Sequence, residues 1–121
     1  MKRLLLIVLP LLLIFGCFEP INEETLIDKD GLKYHPDTKE LYSGKVFTNF
    51  MGGKPKLEGS YKDGLMNGNW IGWYENEQKH IEGIWKDGKE NGLFTNWYEN
   101  GQKEVEGTFK DGKEISSKEW N

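Results

Sequence analysis

The chain has 121 residues, 16 of them Lys or Arg and 20 Asp or Glu, for a net charge of −4, and a single domain is expected at this length. Without Lys2 and Arg3 the remainder carries 14 basic and 20 acidic residues, or −6, which excludes the basic footprint that nucleic-acid binding requires. Fifteen glycines, five Trp, 13% aromatics and one cysteine point to strands and tight turns held together without a disulfide.

Met1-Lys2-Arg3 is followed by twelve residues, Leu4 to Phe15, that form an apolar run containing Pro10. A membrane-spanning helix needs roughly 20 apolar residues, so residues 1–16 read as a secretory signal peptide. Ile14-Phe15-Gly16-Cys17 resembles the bacterial lipobox. Gly16 and Cys17 match it, Ile14 stands where leucine is commoner, and Phe15 is bulkier than the usual small residue. The resemblance implies cleavage before Cys17 and lipid attachment to its sulfur. It places the protein in the bacterial cell envelope: at the outer membrane of a diderm cell, since Phe18 rather than aspartate follows the cysteine, or at the cell membrane of a monoderm one. The alternative is ordinary cleavage that leaves Cys17 a free thiol. Residues 17–29 contain Pro20 and the acidic Glu19, Glu23, Glu24 and Asp28 without clear periodicity. They are expected to form a flexible tether, the alternative being an edge strand around Thr25 to Ile27.

The rest of the chain repeats every 24 residues. Lys62-Asp63-Gly64 recurs as Lys86-Asp87-Gly88 and Lys110-Asp111-Gly112, Glu58-Gly59 as Glu82-Gly83 and Glu106-Gly107, and Gly44 as Gly68 and Gly92. Glu75-Asn76-Glu77-Gln78-Lys79 returns as Glu99-Asn100-Gly101-Gln102-Lys103. Asp-Gly and Asn-Gly pairs are strong signals for two-residue type I′ hairpin turns, because both central residues need positive φ. The expected fold is therefore all-β: a single-layer antiparallel meander of stacked hairpins. Residues 30–43 form a divergent capping hairpin around Pro36, residues 44–67, 68–91 and 92–115 three repeats, and residues 116–121 a closing strand.

Turns centred on Asn100-Gly101 and its equivalents place Trp70 opposite Gly83, Phe94 opposite Gly107 and Val46 opposite Gly59. Across the Asp-Gly turns they place Leu57 opposite Trp70 and Ile81 opposite Phe94. Side chains alternate along a strand, so one face collects Val46, Phe50, Leu57, Tyr61, Trp70, Tyr74, Ile81, Trp85, Phe94, Tyr98, Val105 and Phe109. The other face is polar, with His80 opposite Trp73. Curling of the sheet leaves open which face becomes the core.

Trp97 to Lys103 together with Glu106 to Lys113 resembles the MORN-repeat variant found in bacterial proteins of the YwqK-type antitoxin family, over roughly Gly31 to the C-terminus. The resemblance implies a single-layer sheet that binds another molecule. An antitoxin or immunity role comes with the family and is not carried by any residue here. Glu77 in place of the turn glycine, and Gly52-Gly53 with Pro55 in the first unit, depart from the pattern.

No residue constellation points to catalysis. His35 and His80 lack partners at metal-ligand spacing, no serine sits in a nucleophile elbow, and the Asp-Gly stretches lack the staggered oxygens of a calcium loop. The expectation is a non-enzymatic protein without cofactor or metal. The candidate partner-binding residues are Ile71, Trp73, Thr95 and Trp97 on the polar face, flanked by Glu82, Glu104 and Glu106. Such tryptophans stack on sugar rings or anchor a protein; alternatively they only shield their neighbours and stiffen the sheet. The partners expected are thus a membrane through the lipid anchor, and a protein (a toxin in the immunity version) or an envelope polymer. A second copy is added because an open apolar face is an association site. A structural envelope lipoprotein without a dedicated ligand is the alternative function.

Overall fold

The computed structural model describes residues 19–120; the signal segment 1–16 and Cys17 lie outside the described residues. In chain order the strands are β1 (Ile21–Asn22), β2 (Ile27–Lys29), β3 (Leu32–Tyr34), β4 (Gly44–Asn49), β5 (Pro55–Lys62), β6 (Leu65–Met66), β7 (Gly68–Trp73), β8 (Lys79–Lys86), β9 (Lys89–Trp97), β10 (Lys103–Lys110) and β11 (Lys113–Glu119). Nine of them form one sheet in the order β1-β4-β5-β7-β8-β9-β10-β11, with β6 also on β5, and β2 and β3 form a separate pair. The all-β meander of hairpins is what the 24-residue period predicts. All its pairings are antiparallel except β1 with β4, which is parallel.

The two kinds of turn differ from each other. Asp63-Gly64, Asp87-Gly88 and Asp111-Gly112 have φ of 49 and 82, 49 and 83, and 50 and 83°, the two positive values of a type I′ turn. Asp30-Gly31 is a fourth, with φ of 54 and 79°. At Asn100-Gly101 only Gly101 has positive φ, at 90°. There the Tyr98 N–H donates to the Gln102 carbonyl at 2.8 Å and the Gly101 N–H to the Tyr98 carbonyl at 2.9 Å. That is a three-residue loop, a type I turn closed by a left-handed residue, and it replaces the two-residue turn expected. Tyr74 to Gln78 and Phe50 to Lys54 repeat its hydrogen bonds.

The extra loop residue shifts the register by one beside each turn, between Gly72 and Trp73 and at the equivalent places. Beyond that shift Trp70 lies opposite Gly83, Phe94 opposite Gly107 and Val46 opposite Gly59, as the sequence predicts. Beside it the expectation for His80 is corrected. Lys79, not His80, pairs with Trp73, and His80 stacks on Tyr74 with ring centroids 4.3 Å apart.

The register across the Asp-Gly turns is also corrected. Leu57 pairs with Gly72 rather than Trp70, and Phe94 pairs with Gly83 rather than Ile81. The two-residue register holds only next to the turn, in Tyr61–Met66, Lys62–Leu65, Trp85–Glu90 and Lys86–Lys89. It then slides by two residues where Gly68 and Gly92 take φ of 105 and 128°. A slide of two keeps every side chain on its own face, whereas a slide of one would exchange the faces. The widened segment receives the next turn along. The Gly88 N–H donates to the Met66 carbonyl and the Gly112 N–H to the Glu90 carbonyl, both at 2.9 Å. The Asp87 and Asp111 N–H groups reach the side chains of Asn67 and Asn91. Each unit is thereby stitched to the one before it.

The expected tether is the main departure. From Ile21 onward it is ordered against the sheet. Ile21 and Asn22 pair with Val46 and Phe47, and the Asn22 side chain caps the short 3-10 turn Glu23–Thr25. Leu26 then enters the core with Tyr42, Val46, Tyr61 and Trp70. The physical reason is the open apolar face of β4 and β5, which Ile21 and Leu26 cover while Glu24, Asp28 and Asp30 stay in water. The capping hairpin around Pro36 is present as a single bridge, Tyr34 to Leu41. The same β3 also pairs with β2 through the Asp30-Gly31 turn.

The core lies on the predicted face, so the ambiguity between faces is resolved in favour of the one carrying Val46, Tyr61 and Trp70. Aromatic rings cross it from strand to strand, Tyr42 to Tyr61 to Trp70 and then Trp85 to Phe94 to Phe109, with neighbouring centroids between 5.2 and 6.5 Å apart. The N-terminal segment covers the first group only, and Trp85, Phe94 and Phe109 remain half-buried.

Candidate functional site

The opposite face carries an ordered row of side chains. The three-residue loops set Trp73 beside Lys79 and Trp97 beside Lys103. The Lys79 ammonium also lies over the Trp97 ring, 5.6 Å from its centroid, and the Lys103 ammonium over the Trp120 ring at 5.4 Å. Trp73, Lys79, Trp97, Lys103 and Trp120 thus alternate ring and cation across successive strands. Trp120 joins the row because β11 pairs with β10 through a one-residue shift between Thr108 and Phe109. Lys118 adds a second ammonium over Trp120 at 4.9 Å.

A second row runs beside the first, through Ile71, Glu82, Thr95, Glu106 and Lys118. Lys79 donates to Glu82 at 2.8 Å and Lys103 to Glu106 at 3.1 Å. The bonds from Lys79 and then from the Asn69 amide hold the Glu82 carboxyl below its usual pKa, against a smaller opposing effect of burial. The bond from Lys103 does the same for Glu106. Each lysine therefore joins an indole face to a carboxylate, a cation–π contact continued by an ion pair.

Of the four residues proposed from sequence, Trp73 and Trp97 are half-exposed in the aromatic row. Ile71 is half-buried in the second row. Thr95 is buried, only 5% exposed, with its hydroxyl donating to Glu106 at 3.2 Å, so it supports the face rather than presenting a contact. Sequence reading passed over Lys79, Lys103 and Trp120. The lysines share the 24-residue step and each follows an Asn-x-Gln turn, a signal that assigns them to this face only once the turn is known to hold three residues.

A groove of about 640 Å³ opens on the same face at the first two repeats, lined among others by Lys45, Phe47, Glu58, Ser60, Asn69 and Ile71. On the core face a smaller apolar hollow of about 200 Å³ lies between Leu57, Met66, Trp70, Ile81, Trp85 and Phe94. Among the described residues no group of three or more His, Cys, Asp or Glu side chains is placed to hold a metal ion. Comparison with family models, with curated proteins and with solved structures finds no match to this chain.

Proposed function

We propose that this chain is a membrane-anchored interaction module that acts by binding, without catalysis. In this reading Cys17 carries the lipid in the bacterial cell envelope, and the Trp73–Trp120 face engages a protein partner or an envelope polymer. The observation that carries the reading is the alternating row itself. Three indoles, Trp73, Trp97 and Trp120, the last two lying under lysine ammonium groups, stand half-exposed on the face the core does not use. Large amphipathic rings held in fixed positions are the side chains that dominate interface energetics. Immunity toward a toxin is the version that the family resemblance implies.

The ordered N-terminal segment adds a geometric consequence. Three residues separate Cys17 from Ile21, a reach of about 14 Å at full extension. A lipidated Cys17 therefore holds the first edge of the sheet close to the membrane, with β11 at the far edge.

The test is capture of partners by the full chain compared with its Trp73→Ala/Trp97→Ala variant. Loss of recovery in the variant supports the reading, and unchanged recovery removes this face from it. Incorporation of labelled palmitate by the native chain but not by Cys17→Ser tests the anchor.

A second reading, an envelope scaffold without a dedicated ligand, is favoured by the lysines that already occupy the Trp97 and Trp120 rings. It predicts that deletion weakens the envelope and that no partner is recovered with either protein.

A further inference from the structure

The row on the polar face contains two filled copies of one arrangement and a third that is open. In the first filled copy the Lys79 Nζ lies 5.6 Å from the Trp97 ring centroid and 2.8 Å from Glu82 Oε1. In the second, the Lys103 Nζ lies 5.4 Å from the Trp120 centroid and 3.1 Å from Glu106 Oε2. Counting 24 residues back from Lys79, Glu82 and Trp97 gives Pro55, Glu58 and Trp73. The indole and the carboxylate are kept, and the amine is replaced by a proline ring.

The equivalence is structural as well as sequential. Pro55 pairs with Asn49 beside the same register shift that sets Lys79 against Trp73. Lys56 lies over Phe50 as His80 lies over Tyr74. Glu58 pairs with Ile71, two residues before Trp73, as Glu82 pairs with Thr95, two residues before Trp97. The lysines beside Pro55 are engaged elsewhere: Lys54 pairs with Glu77 at 3.7 Å and Lys56 with the Phe50 ring. Among the described residues no ammonium lies over Trp73 and Glu58 has no ion-pair partner. The groove of about 640 Å³ adjoins this point, lined by Glu58 and by Ile71, the residue paired with it.

We infer that the open copy is a binding site for a primary alkylammonium group, the end of a lysine side chain on the polypeptide that this face engages. The inference rests on the reading of this face as an interaction surface. The incoming ammonium takes the place that Lys79 and Lys103 hold in the later repeats, over the Trp73 ring and against the Glu58 carboxylate. The adjoining groove, with Phe47 and Ile71 as its apolar floor and Ser60 and Asn69 among its polar lining, receives the chain that carries the lysine. The template for the contact is internal: the protein builds it twice with its own lysines and leaves it unfilled at the one repeat where proline interrupts the pattern.

The test uses the full chain, labelled with nitrogen-15 and held in a non-ionic detergent. The indole N–H resonances are followed while Nα-acetyl-lysine methylamide is added, and again with the analogue acetylated at its side-chain amine. The expected result is a saturable movement of the Trp73 resonance with the free amine alone, larger than at Trp97 and Trp120, whose rings already carry a lysine. Glu58→Gln removes the counter-charge and Pro55→Lys fills the site from within. Each is expected to weaken the response by about tenfold or more. Equal movement of all the indoles, an equal response to the neutral analogue, or an undiminished response in Pro55→Lys overturns the site. Partner capture separates this inference from the reading beneath it. Capture lost in Trp73→Ala/Trp97→Ala with no selective ammonium response keeps the interaction face and rejects the site. Capture unaffected by the double substitution rejects the face.

Discussion

The indole of Trp70 rests on the bare backbone of Gly59, at a place where any Cβ would overlap the ring. The Trp70 indole N–H donates to the Ser60 carbonyl at 3.1 Å, which fixes the ring there. Phe94 covers Gly83 in the same way. An alanine ordinarily gains about 0.5–1 kcal/mol over glycine in a strand. Here Gly59→Ala and Gly83→Ala are expected to destabilise the fold by about 1–3 kcal/mol, the cost of displacing a packed ring. Gly107→Ala, whose Cβ would meet its nearest neighbours at 3.3 Å, is expected to cost less than either. Denaturant midpoints of the three variants check the order.

Leu26 comes from a segment with the composition of a linker, yet it is 8% exposed and part of the core. Leu26→Ala is expected to cost about 2–4 kcal/mol through the cavity it leaves against Val46, Tyr61 and Trp70. Ile27→Ala, at a position 37% exposed, is expected to cost less than about 1 kcal/mol. Hydrogen exchange should quicken at the β4 amides in the first variant and stay unchanged in the second.

Tyr61 donates its hydroxyl to Glu23 at 2.6 Å. Burial, and then the Glu23 carboxylate, push the phenol pKa upward from its ordinary value. The fold therefore favours the neutral phenol. Its contribution to stability is complete below about pH 10, the ordinary phenol value, and is lost as the pH rises above it, because the unfolded chain ionises first. Tyr61→Phe is expected to flatten the fall in stability above about pH 10. Melting temperatures across that range test it; an equally steep fall in the variant would assign the alkaline loss to other groups, Tyr42 among them, which burial also shifts upward.

Glu77 occupies the left-handed position of its loop, φ 71°, where Gly53 and Gly101 stand at 94 and 90°. A side chain in that region costs about 1–2 kcal/mol, partly offset by the smaller entropy that a non-glycine loses on folding. The ion pair of Glu77 with Lys54 is long, 3.7 Å, and exposed, so its loss costs little. Glu77→Gly is expected to stabilise the protein by about 0.5–1 kcal/mol, seen as a melting temperature higher by a few degrees.

Much of this was readable from the order of residues. The 24-residue period, the Asp-Gly turns and the sharing of faces follow from rules that act within a few residues: positive φ at defined positions and alternation along a strand. The same rules place Trp73 and Trp97 on the polar face. They do not reach Lys79. Whether Lys79 or His80 joins that face depends on a single loop residue. That loop is held partly by bonds to the next repeat, from the Tyr74 hydroxyl to the Trp97 carbonyl and from the Asn76 amide to the Glu99 carbonyl.

Local chemistry thus determined which residues turn, which extend and which side of the sheet each one takes. Only the assembled sheet decided how far neighbouring units slide past one another, that the N-terminal segment packs as a cover, and that lysines rather than histidine lie between the tryptophans. The reason is that a one-residue loop insertion or a two-residue slide changes few local interactions. Its free energy is set by the rings, carbonyls and glycines that meet across strands distant in sequence.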